Sequence, residues 1–252
     1  MKQLLLTLLV FSLFVSTCFG EIHTVDTEPT ELNEPPQAYI NRVKQRVLKK
    51  DQPMTMIGKA RLDNVEFCLK EVLKNDIPGD CVETGVWRGG ATILMRAILK
   101  AYQNEDRQVW VVDSFQGLPA PNLKKYPADR ELLSEQGTCF ASLNTVMNNF
   151  ASLNLLDNRV VFVKGWFSET LPPAPIEQIA LLRLDGDLYE STMDVLNALY
   201  DKVTPGGYII IDDYGHWKAC KKAVTHFRKI RGIDDEIIKI DYTGVYWQKS
   251  QM

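Results

Sequence analysis

From residue 80 onward the chain alternates short continuous apolar runs with longer stretches whose apolar residues return at helical spacing. Runs of the first kind are those of strands buried on both faces, and stretches of the second kind are helices packed along one stripe. Residues 80–83, 108–112, 160–163, 179–184 and 208–211 read as strands, and 91–102, 143–155, 189–202 and 217–231 as the helices among them. Two amphipathic helices, 39–50 and 61–75, come first. Residues 236–240 and 245–248 close the chain as a hairpin around Asp241-Tyr-Thr-Gly244. The alternation predicts an α/β fold with a Rossmann-like, doubly wound, mostly parallel sheet, helices on both faces and a C-terminal antiparallel hairpin.

The start of the chain breaks this pattern. Lys2 precedes an apolar stretch from Leu4 to Val15, and Ser16, Thr17, Cys18 and Gly20 follow. That is the charged, apolar, then small-residue layout of a secretory signal peptide. Residues 1–20 are therefore expected to be a leader cleaved after Gly20. The mature chain would then sit in the secretory pathway, outside the cell or in a periplasm, and an uncleaved leader would anchor it to a membrane. Residues 21–37 read as a polar leader to one domain at 38–252. Within that domain residues 114–140, rich in Pro, Lys and Gly, read as a lid-like insertion. Insertions of this kind often pair with subunit contacts, so a homo-oligomer is expected.

With 252 residues and a net charge of -3, the chain can bury a full core and has no basic excess to recruit nucleic acid. Three histidines are too few for a His-rich metal site. Once the leader is removed, Cys68, Cys81, Cys139 and Cys220 remain and could pair in an oxidising compartment. Cys68 and Cys81 lie among apolar neighbours and read as small core residues.

The chemistry lies where strands end in acids. Leu181-Leu-Arg-Leu-Asp185-Gly-Asp187 and Tyr208-Ile-Ile-Ile-Asp212-Asp213 both pass from apolar run to carboxylates without a break. In open α/β sheets ligands bind just beyond the carboxyl ends of strands. On neighbouring strands Asp185, Asp212 and Asp213 converge, and bare anions that close repel strongly. A hard divalent cation is the natural compensation. Asp187, near that cation and not bound to it, is the candidate general base, with His216 second. Helix capping would explain one acid per strand end, but not two.

Glu83-Thr84-Gly85-Val86-Trp87-Arg88-Gly89-Gly90 follows the first strand. It is neither a dinucleotide fingerprint nor a phosphate loop, and its leading acid suits a cationic or amino group. Asp113 ends the second strand, where such folds place an acid for ribose hydroxyls. Gly165-Trp166-Phe167 adds an aromatic wall after the third strand. Two acids, an aromatic and no phosphate loop fit S-adenosylmethionine.

The segments Met54-Thr-Met-Ile-Gly58, Val82-Glu-Thr-Gly-Val-Trp-Arg-Gly-Gly90, Val112-Asp-Ser-Phe-Gln-Gly-Leu-Pro119, Leu184-Asp-Gly-Asp-Leu-Tyr189 and Ile211-Asp-Asp-Tyr214 resemble the macrocin O-methyltransferase family over about residues 38–248. The resemblance implies the class I methyltransferase fold, S-adenosyl-L-methionine as donor, Mg2+ and a sugar-like small-molecule hydroxyl acceptor. It implies Asp185, Asp212 and Asp213 as metal ligands and Asp187 as base. Around the cofactor it places Thr55 and Met56, then Glu83, Thr84, Gly85, Val86 and Trp87. Asp113, Ser114, Phe115, Gln116 and Gly117 follow, with Ser142, Gly165, Trp166 and Phe167. The signal peptide departs from the cytoplasmic address of the antibiotic-tailoring members. Two other readings stand beside this one. Asp185-Gly-Asp187 could be the Asp-x-Asp site of a metal-dependent glycosyltransferase, or the chain could be a secreted, non-catalytic binding protein on this scaffold.

Overall fold

The computed structural model describes residues 12–17, 20–28 and 32–250, the first of these through its backbone. The expected signal peptide lies largely outside the described residues. Strand β1 (Ser12–Thr17) and strand β2 (Gly20–Val25) are followed by helices α1 (Pro36–Val47) and α2 (Lys59–Lys74). The alternating part runs β3 (Asp80–Thr84), α3 (Gly90–Ala101), β4 (Val109–Asp113), α4 (Leu143–Ala151), β5 (Val160–Lys164), α5 (Phe167–Thr170) and β6 (Ile179–Leu184). Then come α6 (Tyr189–Leu199), β7 (Val203–Ile211), α7 (Lys218–Arg231) and the hairpin strands β8 (Ile238–Lys239) and β9 (Val245–Gln248).

Among the described residues these strands form one sheet in the order β1-β2-β5-β4-β3-β6-β7-β9-β8. Its middle, β5 through β7, is parallel, and β9 adds antiparallel to β7 as the sequence predicts. The strand order reverses between β3 and β6, which opens a crevice at their carboxyl ends.

Strand periodicity divides the core. Cys81, Val111, Phe162 and Ile210 face α1, α2, α3 and α4, whereas Val82, Val112, Val163 and Ile209 face α6 and α7. The helices meet them with one stripe each, such as Tyr39, Ile40, Val43 and Val47 on α1. Cys68, Cys81 and Cys220 are buried and unpaired, and Cys139 is an exposed free thiol.

One expectation changes. Residues 21–25, read as part of a polar leader, form with Gly20 a strand that lies between β1 and β5 and runs antiparallel to both. The stretch is polar because only its alternate side chains His23 and Val25 are buried, and the Glu21 carboxylate accepts a hydrogen bond from Lys164 on β5 at 3.0 Å.

The expected insertion is docked against the domain. Its 3-10 helix, Pro127–Glu135, buries Leu132 against Leu188 and Ala219. The Asp129 carboxylate accepts the backbone N–H groups of Tyr189 and Glu190, and Glu131 accepts that of Ala219. Two acids of the insertion thus satisfy otherwise orphaned donors at the starts of α6 and α7, where the helix dipole favours negative charge.

Candidate active site

The crevice between β3 and β6 holds a cavity of about 340 Å³. Gly85 makes the close approach that shapes it. Its φ is +82°, and a Cβ there would come within 1.8 Å of the Asp185 carbonyl oxygen, so only glycine lets the β3–α3 turn lie against the tip of β6. Asp185, Gly186 and Asp187 form one side of the cavity. Met56, Trp87, Asp113, Ser114, Gly117, Gly165, Trp166 and Phe167 also line it.

Asp185, Asp212 and Asp213 offer carboxylate oxygens that all lie within 4.8 Å of one another. Asp185 reaches the cavity, and Asp212 and Asp213 stand buried behind it. Burial raises the pKa of all three. Arg183 opposes the rise at Asp185 and Asp212, repulsion from Asp187 adds to it at Asp185, and repulsion from Asp187, Asp185 and Asp212 adds to it at Asp213. Asp212 lies at about 6. Asp213 gains only the Asp187 backbone N–H at 3.1 Å, and no ion pair with it is found among the described residues. Three hard oxygen donors with surplus negative charge match a divalent cation such as magnesium.

Asp187 sits at the cavity with a left-handed backbone, φ +57°. Its Oδ1 accepts the indole N–H of Trp217 at 2.6 Å, which fixes the carboxylate. Burial pushes its pKa up to about 6, which suits a group that takes up a proton near neutrality. His216 is exposed, edge-on to Trp217, and does not line the cavity.

Two arginines complete the cluster, and the sequence reading passed over both. Arg183 is 1% exposed and donates to Glu83, Asp185 and Asp212. Arg61, from the first turn of α2, donates to the other oxygen of Asp212. The signal for Arg183 was present: a lone charge inside the apolar run of β6 must meet acids on the strands beside it.

Several expected cofactor residues lie around the cavity and not on its lining. Glu83 is paired in register with Arg183 and turns toward it and Thr92, with burial raising its pKa to about 7. It does not line the cavity, and neither does Thr84, which is buried against the Arg183 carbonyl. The Thr55 hydroxyl accepts the Ile57 N–H, so only Met56 of that segment faces the cavity. Val86 and Phe115 lie behind the wall, where their N–H groups donate to the two oxygens of Asp113, both at 2.7 Å. The Gln116 N–H donates to Ser114, and Ser142 caps α4 through the Thr145 N–H. These residues shape the turns around the cavity without reaching into it. Conversely, Leu118, Pro119, Ala120, Cys139, Glu190, Ser191 and Asp194 line it and were not foreseen.

Comparison with known proteins fits this geometry. Residues 20–249 match the model of the family described as Macrocin-O-methyltransferase (TylF). The chain is 52% identical over 199 residues to the demethyldecarbamoylnovobiocin O-methyltransferase of Streptomyces niveus, covering 78% of this chain and 76% of that one. It is 48% identical over 208 residues to the 8-demethyl-8-(2,3-dimethoxy-alpha-L-rhamnosyl)-tetracenomycin-C 4'-O-methyltransferase of Streptomyces olivaceus, covering 81% and 79%. The solved structure of the O-methyltransferase NovP superposes with a TM-score of 0.81 at 44% identity, covering 86% of this chain and 100% of that one. The chain belongs to the macrocin O-methyltransferase family and is an S-adenosylmethionine-dependent O-methyltransferase.

Proposed function

We propose that this protein methylates a hydroxyl of a sugar or a sugar-bearing small molecule, with Asp187 as general base and Asp185, Asp212 and Asp213 as ligands of a magnesium ion. The observation that carries the reading is the surplus of carboxylates at one corner of the cavity, within reach of an aromatic wall suited to a nucleoside. Sugar-like acceptors are supported by the rhamnosyl group in the name of one relative.

Asp113 and the backbone around Gly85 would hold the ribose and amino-acid ends of the donor, and Trp166 with Phe167 its flat base. Held by Asp185, Asp212 and Asp213, magnesium would lower the pKa of an acceptor hydroxyl and orient its oxygen. Asp187 receives the hydroxyl proton as that oxygen attacks the methyl carbon and the carbon–sulfur bond of the donor breaks. Trp217 keeps Asp187 aimed throughout. The insertion supplies Leu118, Pro119 and Ala120 to the wall of the cavity.

Calorimetric titration with S-adenosylmethionine, with and without magnesium, tests the donor and cation sites. Transfer of labelled methyl groups to simple glycosides and to their sugar-free counterparts then tests the acceptor class. Donor binding unaffected by magnesium, or equal labelling of both acceptor sets, would remove that part of the reading.

We also propose that residues 1–20 are a secretory leader and that the chain forms a homo-oligomer. The family match begins at residue 20, which leaves the apolar stretch outside it. The mass of the protein recovered from cells shows whether it starts at Met1 or after Gly20, and light scattering reads the assembly.

A further inference from the structure

Both oxygens of Asp212 are engaged by arginines: Arg183 donates to Oδ1 and Arg61 to Oδ2. The two guanidinium groups differ in their freedom. Arg183 is enclosed within the sheet and held by three carboxylates, so it has nowhere else to go. Arg61 is also buried, at 9% exposure, but a second acid stands beside it. Its Nε is 3.1 Å from Oδ2 of Asp241, on the turn between β8 and β9, without the alignment of a hydrogen bond. Asp241 is fixed for that role, because its Oδ1 accepts the N–H groups of Thr243 and Gly244 at 2.9 and 2.7 Å. Room along this path depends on Gly244, where a Cβ would press within 3.0 Å of the Arg61 Cδ.

We propose that Arg61 is an exchangeable counter-ion of the carboxylate cluster: it competes with a divalent cation for Asp212 and passes to Asp241 when the cation binds. The inference rests on the cation site proposed above and deepens it. Like charges that share one carboxylate oxygen repel, so cation and guanidinium weaken one another there. Asp241 offsets that repulsion by drawing the guanidinium outward. Arg61 is thus a positioning residue whose two partners act on cation binding with opposite sign.

The test is calorimetric titration of the full chain with Mg2+, and with Mn2+ as a second probe, for the parent, Arg61→Gln and Asp241→Asn. Arg61→Gln is expected to bind the cation roughly tenfold more tightly, the size of one charge-assisted hydrogen bond removed from the competition. Asp241→Asn is expected to bind it several-fold more weakly. Melting curves supply the control: Arg61→Gln should melt lower than the parent without cation, and the gap should close on adding it. Weaker binding in both variants would mean that Arg61 only braces the fold, and unchanged binding in both would mean it does not touch the site. Either result overturns the proposal while leaving the cation site standing. Absence of binding by the parent would overturn the cation site and this inference together.

Discussion

Arg96 and Arg183 are both shut away from water, at 0% and 1% exposure, yet their electrical surroundings differ in kind. Arg96, on α3, meets Asp157 in a two-pronged pair with contacts of 2.8 to 3.0 Å, and Glu105 stands at 3.5 Å on the rim. Charge there is nearly balanced. Asp157 precedes β5, at the end of the sheet away from the cavity. Arg183 meets three carboxylates, and beyond them Asp187 and Asp213 have no ion pair among the described residues. A balanced buried pair holds architecture in place, whereas a buried surplus of one sign raises the free energy of the fold unless a ligand of opposite charge arrives. Burial alone does not single out the candidate active site; the uncompensated charge does.

Changes on the two sides should therefore separate cleanly. The largest effect is expected from Asp187→Asn, which keeps the acceptor for Trp217 but removes the proposed base. Methyl transfer should fall by about 10²–10⁴-fold, while calorimetry shows unaltered binding of S-adenosylhomocysteine. Loss of that binding too would show that Asp187 serves the donor site as well.

Arg96→Met leaves Asp157 as a buried unpaired carboxylate and should lower stability by about 3–5 kcal/mol. Denaturant unfolding measures the loss, and donor affinity below the transition should match the parent. Reduced donor affinity in the folded variant would mean that the Arg96–Asp157 pair also shapes the donor site.

Asp213→Asn should act in the opposite direction, since it removes a repelled anion. The variant is expected to melt a few degrees higher, the response of a chain this size to about 1 kcal/mol, and to lose cation binding. A lower melting temperature would mean that Asp213 belongs with the braces rather than with the surplus.

The smallest effect is in pH. Asp187 and Asp212 have folded pKa values raised to about 6, above the ordinary carboxylate value of about 4. Protons are then held more tightly by the folded state, so the stability these groups contribute is complete below pH about 4 and lost as pH rises through about 6. Magnesium should add little to the melting temperature near pH 4 and most above pH 6. Activity should climb over the same interval as Asp187 ionises. A magnesium effect independent of pH would place the cation elsewhere.

Much of this was legible in the sequence because the signals were local. Apolar period and length placed β3 to β7 and the helices α3, α4, α6 and α7, but not the single turn of α5, and acids directly after strands placed Asp185, Asp187, Asp212 and Asp213. What escaped depended on partners distant in the chain. The strand Gly20–Val25 exists because β5 offers an open edge, and no run of six residues announces that. At Glu83 the strand's end is visible in sequence while the partner of its side chain is not. Arg183, 100 positions along, supplies that partner. Arg61 sits on an amphipathic helix where a charge is ordinarily solvent-facing, so only the tertiary fold gives it away.

The fastening of the insertion has a practical outcome. Asp129 and Glu131 grip α6 and α7 at one end of the excursion, and the Leu118 and Thr138 backbone contacts zip its base. The exposed stretch between, around Lys124 and Lys125, bears no part of that grip. Foreign sequence grafted there is expected to leave both the docked insertion and the cavity beneath it intact.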